Sequence, residues 1–219
     1  MCRYANQEMK KSRKLILLGG MTPGGRIYRR LTPLISNYEF IEWVNPGDDQ
    51  TVQEYAYRIK KLIKDPQDCD VLGVSFGGIV AQELARIIEA ERCYIVSSLC
   101  CYEELNLAHK TMSKVPPVLL NQLLASSVKM FSTLQATNVS KVTSRLKKLV
   151  GDEGGWYRWA ALAVAKWKPS KDVGSDVTFI RIHGDSDSTF KRGHIFSDYV
   201  IEGATHVLAL THAKELAQL

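Results

Sequence analysis

DVLGVSFGGIVAQELARIIEA, the stretch from Asp70 to Ala90, decides the fold. Asp70–Val74 is short, largely apolar and interrupted only by glycine, which suits a buried strand. Ile79–Ala90 carries Val80, Leu84, Ile87 and Ile88 on one stripe, which suits a helix packed on a sheet. Between them lies Gly73-Val74-Ser75-Phe76-Gly77, a G-x-S-x-G motif. A strand-to-helix turn this tight strains the backbone at its serine. Glycines two residues to either side remove the Cβ atoms that would clash, and Gly78 adds room for helix to pack on strand. Such a turn lifts the Ser75 hydroxyl clear of the sheet and aims a helix N-terminus at any oxyanion formed beside it. The same segment also fits a plain glycine-rich turn with a solvated serine, or a phosphate-binding loop.

Outward from this motif, strand-like runs at Lys14–Leu18, Tyr38–Val44, Tyr94–Leu99, Val177–Ile182 and Ser197–Ile201 alternate with helical patterns at Val52–Ile63 and from Val207 to Leu219. Alternation of this kind predicts an α/β fold, a three-layer α/β/α sandwich with about six mostly parallel strands. It stops between Cys100 and Lys171, where the pattern is helical and partly polar, broken at Pro116-Pro117 and Gly154-Gly155. The expected organisation is a core of residues 1–99 and 172–219 with a helical insertion at 100–171.

A serine hydroxyl is a weak nucleophile at neutral pH without a base. Of five histidines, His206 follows the last short strand in Gly203-Ala204-Thr205-His206 and falls on the same sheet edge as Ser75, where catalytic groups collect in open α/β sheets. His183 precedes Gly184 and reads as part of a turn, His212 as part of the last helix, and His109 and His194 carry no positional signal. The imidazole needs a carboxylate to fix its tautomer. His183-Gly184-Asp185-Ser186-Asp187 offers two, with Asp187 preferred, Asp185 in reserve as the turn former, and Glu103 or Glu104 as weaker substitutes. The loop Gly19-Gly20-Met21-Thr22-Pro23-Gly24-Gly25 lacks the G-K-[ST] ending of a nucleotide site and the G-x-G-x-x-G register of a dinucleotide site. It reads either as a flexible loop or as an oxyanion loop in which the Met21 amide joins that of Phe76.

Composition bounds the partners. In 219 residues, 45% hydrophobic and 24% charged, disorder and low complexity are excluded. Five cysteines without a CxxC pair suit free thiols in a reducing compartment. The first apolar run, Leu15–Leu18, is too short for a signal or a membrane span, so a cytoplasmic protein is expected, with no membrane partner. The net charge of +6 concentrates in residues 100–171, where 11 basic residues face 4 acidic ones for a net of +7. That excess, including Lys141, Arg145, Lys147 and Lys148, is either a solvated helix face or a landing surface for an acidic carrier or anionic substrate. No basic–aromatic motif supports nucleic acid.

Together these residues resemble the α/β-hydrolase superfamily, over essentially the whole chain from Lys14 onward. Ser75, Asp187 and His206 follow that family's order of nucleophile, acid and base. His183-Gly184-x-x-Asp187 is similar to its acid segment, and Gly203-Ala204-Thr205-His206 to its histidine segment. Gly19-Gly20-Met21 aligns with its oxyanion loop, with Gly19 where a histidine is often found. Two departures are the family's first two antiparallel strands, which look absent, and the usual proline after the acid segment, replaced by Ser188-Thr189-Phe190-Lys191. The resemblance implies a small serine esterase or thioesterase with Ser75, His206 and Asp187 as catalytic triad, Met21 and Phe76 amides as oxyanion hole, and neither metal nor organic cofactor. The insertion falls where the family often carries a cap. Trp156, Trp159, Ala160, Ala163 and Trp167 lie there at helical spacing, as packing residues or as a pocket wall, and Met21 and Phe76 are candidates to line an apolar acyl site. A cofactor-independent lyase on the same scaffold, or a non-catalytic binding protein, remains an alternative.

Overall fold

In a computed structural model, residues 13–21, 24–47, 49–105, 155–170, 176–190 and 195–219 are described. Six strands form one sheet: β1 Lys14–Leu18, β2 Tyr38–Ile41, β3 Cys69–Val74, β4 Arg92–Val96, β5 Thr178–Gly184 and β6 Tyr199–Ile201. Their order is β2-β1-β3-β4-β5-β6, and every pairing is parallel. All six residues of β3 are buried, as expected for a central strand covered on both faces.

The pleat divides the core. Ile16, Leu18 and Val71 face one side, where they pack with α1 (Val52–Lys60), α2 (Phe76–Ile87) and α3 (Gly155–Lys166). Leu17, Leu72, Val74, Val96 and Ile182 face the other, against Tyr28, Leu31 and two short helices, α4 (Leu208–Thr211) and α5 (Ala213–Leu216). The result is a three-layer α/β/α sandwich. The chain leaves β1 for β2 on one side and then returns to place β3 on the other. The switch point thus lies between β1 and β3, and the carboxyl ends of the strands there are where open α/β sheets place their ligands.

Several boundaries move for identifiable reasons. β2 stops at Ile41 instead of Val44, because the Val44 amide donates to, and its carbonyl accepts from, the Tyr55 hydroxyl rather than a neighbouring strand. α1 is capped by Thr51 and Glu54 in a reciprocal box and ends at Lys60, tightening into i→i−3 bonds through Ile63. α2 begins immediately after Ser75 rather than at Ile79, so the two glycines at its start are helical. β4 ends at Val96, and Ser97 turns out of the strand with φ 46°. β5 runs on to Gly184, because Ile182, His183 and Gly184 pair with β6; His183 is therefore a strand residue and not a turn residue. The C-terminal helix divides at His212, whose backbone (φ −120°, ψ 42°) is not helical.

Of the insertion at 100–171, residues 106–154 and Lys171 lie outside the described residues, and with them His109, Pro116-Pro117, Lys141, Arg145, Lys147 and Lys148. The same holds for residues 1–12 and for His194. Cys69, Cys93, Cys100 and Cys101 are free, and no described helix is long and apolar enough to cross a membrane.

Candidate active site

Ser75 occupies the turn between β3 and α2 with φ 56° and ψ −121°, a sparsely populated conformation for a residue with a Cβ. Its surroundings over-determine it. The Ser75 amide donates to Val96 O at 2.9 Å, and its carbonyl accepts from Gly78 N at 2.9 Å and Ser98 Oγ at 2.5 Å. The flanking glycines allow three strands to close on this turn. A Cβ on Gly73 would sit 2.1 Å from Gly77 O, and one on Gly77 would sit 2.2 Å from Gly19 O. The end of β1 is therefore pressed against the start of α2.

Ser75, His206 and Asp187 come together from three sheet elements. His206 Nε2 lies 3.0 Å from Ser75 Oγ, and His206 Nδ1 lies 2.8 Å from Asp187 Oδ2. His206 and Asp187 are buried, and the His206 ring packs edge-on against Phe190 with centroids 5.2 Å apart. The loops after β5 and β6 are laced together. Ser186 N donates to Ala204 O, and Gly203 N donates to Asp185 Oδ1 at 2.8 Å. Asp185 is thus an exposed turn former, and the carboxylate on His206 is that of Asp187. Glu104 takes neither part: it forms an ion pair with Arg181 and accepts from Cys100 N.

The sequence reading passed over one residue of this cluster. His183, 2% exposed, places its Nε2 3.2 Å from both Asp187 Oδ2 and Phe190 O. Asp187 Oδ1 in turn accepts from Thr189 N at 2.8 Å and Phe190 N at 3.0 Å. Burial alone pushes the Asp187 carboxyl up. The hydrogen bonds from His183 and His206, the charge of His206 and the Phe190 amide outweigh it and hold the group well below the ordinary carboxylate range. The signal is the residue itself: an imidazole four positions before the acid, in a strand that runs two residues past its expected end at Ile182.

Phe76, the first residue of α2, has an amide that no intrahelical carbonyl reaches, next to Ser75 and at the positive end of a 12-residue helix. Gly20 and Met21 follow β1 on the facing side, and a Cβ on Gly20 would lie 3.5 Å from Ser75 Cβ. The Phe76 side chain is 2% exposed and sits among Trp43, Trp156 and Trp159, with ring centroids 5.4–5.9 Å away. Trp156 is equally buried, so the tryptophan face of α3 fills a packed aromatic cluster behind the turn. Among the described residues no group of three or more His, Cys, Asp or Glu side chains is arranged to hold a metal.

A sheet of this order with a strained serine at the switch point is the α/β-hydrolase fold, and solved structures bear out that class. The chain is similar to ClbQ from the colibactin NRPS/PKS pathway (TM-score 0.63, 14% identity, covering 94% of this chain and 93% of that one). It is also similar to the epoxide hydrolase CorEH (0.64, 13%, 94% and 89%) and to a thermophilic esterase from Thermogutta terrifontis (0.56, 15%, 94% and 87%). At such identities the likeness is one of fold. No protein-family model and no curated protein matches the chain.

Proposed function

We propose that this protein is a serine hydrolase that cleaves a carboxylic ester or thioester through an acyl-enzyme. The observation that carries the reading is the continuous hydrogen-bonded chain from Asp187 through His206 to the strained Ser75. His206 Nε2 accepts the Ser75 proton as Oγ attacks the carbonyl carbon, and the Met21 and Phe76 amides receive the oxyanion. Asp187 holds His206 in the tautomer with its proton on Nδ1 and stabilises the imidazolium. His206 then protonates the departing alcohol or thiol, and a water activated by the same nitrogen releases the acid. The lowered pKa of Asp187 supports this assignment, because a carboxylate that stays ionised is what the imidazolium requires.

A fluorophosphonate probe tests the nucleophile: Ser75 is labelled in the wild type and Ser75→Ala is not. No labelling of either sinks the reading. A panel of esters and thioesters of graded acyl length then separates the chemistry. Labelling at Ser75 without turnover of any member points instead to a non-hydrolytic reaction on the same triad.

A further inference from the structure

Trp43 was expected at the end of a strand, but it lies two residues beyond β2, and its indole Nε1 donates to the carbonyl oxygen of Gly20 at 2.8 Å. That carbonyl belongs to the peptide unit whose N–H is Met21. A trans peptide is planar, with its C=O and N–H pointing in opposite directions, and no cis bond occurs among the described residues. Fixing the carbonyl therefore fixes the amide. The bond has only one sense, because an indole N–H donates and never accepts. Were the Gly20–Met21 peptide to flip, the Met21 N–H would face another donor. Gly20 has no Cβ to resist such a flip.

The indole is itself held. Trp43 is 7% exposed and packs against Tyr55, Trp156 and Phe76, with ring centroids 6.0, 5.9 and 5.4 Å away. The next residue, Val44, is bound through both its backbone groups to the Tyr55 hydroxyl. One side chain thus grips the peptide carrying the first oxyanion donor and touches the residue carrying the second.

We propose that Trp43 is the positioning residue of the oxyanion hole, setting the direction of the Met21 N–H through the Gly20 carbonyl. This rests on the serine-hydrolase reading, and its test separates the two. Trp43→Phe keeps the ring packing and removes the donor. Replacing Trp43 by benzothienylalanine, which exchanges the indole N–H for sulfur at nearly constant shape, serves if Trp43→Phe folds poorly. The measurements are kcat and KM on the best ester of the panel, and the affinity of an alkylboronic acid, which forms a tetrahedral anion on Ser75. Losing an oxyanion donor outright costs about 10²–10³ in kcat. A donor left present but unaligned is expected to cost about tenfold to a hundredfold, with KM within about twofold and boronate affinity falling in parallel with kcat. Wild-type kcat in either variant, or equal losses in KM and kcat with boronate affinity unchanged, overturns the proposal and leaves the serine reading intact. A wild-type protein that neither binds the boronate nor reacts with fluorophosphonate overturns the serine reading and the Trp43 proposal with it.

Discussion

Replacing Asp187 by asparagine exchanges one carboxylate oxygen for an amide NH₂ and, on the proposed mechanism, reverses a proton. The carboxylate accepts from two fixed donors on Oδ1, Thr189 N and Phe190 N, and from two imidazoles on Oδ2. Backbone amides cannot become acceptors. Asparagine must therefore turn its oxygen towards Thr189 and Phe190 and its NH₂ towards His206 and His183. An imidazole can adapt, so His206 places its lone pair on Nδ1 and its proton on Nε2. The nitrogen 3.0 Å from Ser75 Oγ then carries a proton and cannot take another. Loss of the general base through the wrong tautomer is worth about 10⁴ in kcat, or roughly 5 kcal/mol of barrier. The assay is ester hydrolysis under saturating substrate, with ¹⁵N shifts of the His206 ring to identify the tautomer. Asp185→Asn, at an exposed turn former, is the control and should lose less than about threefold. If Asp187→Asn keeps kcat within tenfold of wild type, the assignment of Asp187 is wrong.

Three further outcomes follow from the geometry. The bonds from His183 and His206 outweigh burial and hold the folded Asp187 carboxyl below the pKa of a free carboxylate, so the stability it contributes is present above the unfolded value and is lost as pH falls through the folded one. Denaturant melts of wild type and Asp187→Asn should differ at pH 7 and converge from about pH 4 downward; a constant gap to pH 3 refutes the argument. Gly77→Ala drives a methyl to 2.2 Å from Gly19 O and should destabilise by roughly 4 kcal/mol or more, whereas Gly20→Ala meets Ser75 Cβ at an ordinary 3.5 Å and should melt within a few degrees of wild type. Glu83, 1% exposed, accepts from Trp167 Nε1, Ser170 N and Ser170 Oγ, so Glu83→Ala orphans these donors and should cost roughly 3–5 kcal/mol. Faster hydrogen exchange confined to residues 155–170, with labelling of Ser75 retained, is the expected signature.

What could be read in the sequence was what is local. The central strands announce themselves because residues buried on both faces must be apolar in unbroken runs, and β1 and β3 fell within a residue of their expected bounds. Ser75 was legible because a tight strand-to-helix turn demands glycines at fixed offsets. His206 and Asp187 were legible because parallel strands deliver their following loops to one edge. Other features depended on contacts between distant residues. β2 stops early because a hydroxyl from α1, 11 positions on, captures Val44. The helix of Ser75 starts three residues earlier than glycine propensity suggests, because its glycines are packed against β1 and β3 rather than exposed. His183 looked like a turn because Gly184 follows it, yet pairing with β6 carries the strand through both.

The cluster also divides into two halves with different anchors. Ser75 is tied to β1, β3 and β4. The strain of its backbone, of order 1–3 kcal/mol, is comparable to the three hydrogen bonds that hold it at about 1 kcal/mol each, so it cannot relax without breaking contacts to β4 and its flanking serine. Asp187 and His206 belong instead to loops after β5 and β6 that are laced to each other. The halves are joined by the β4–β5 ladder, five residue pairs from Arg92–Thr178 to Val96–Ile182, continued by Ser97 N donating to Ile182 O at 2.9 Å. A one-residue slip there would move His206 by about 3.3 Å along the strand and open a contact that now spans 3.0 Å. Register between β4 and β5, whose Ile95, Val96 and Ile182 are buried, is therefore what sets the reach of His206 to Ser75.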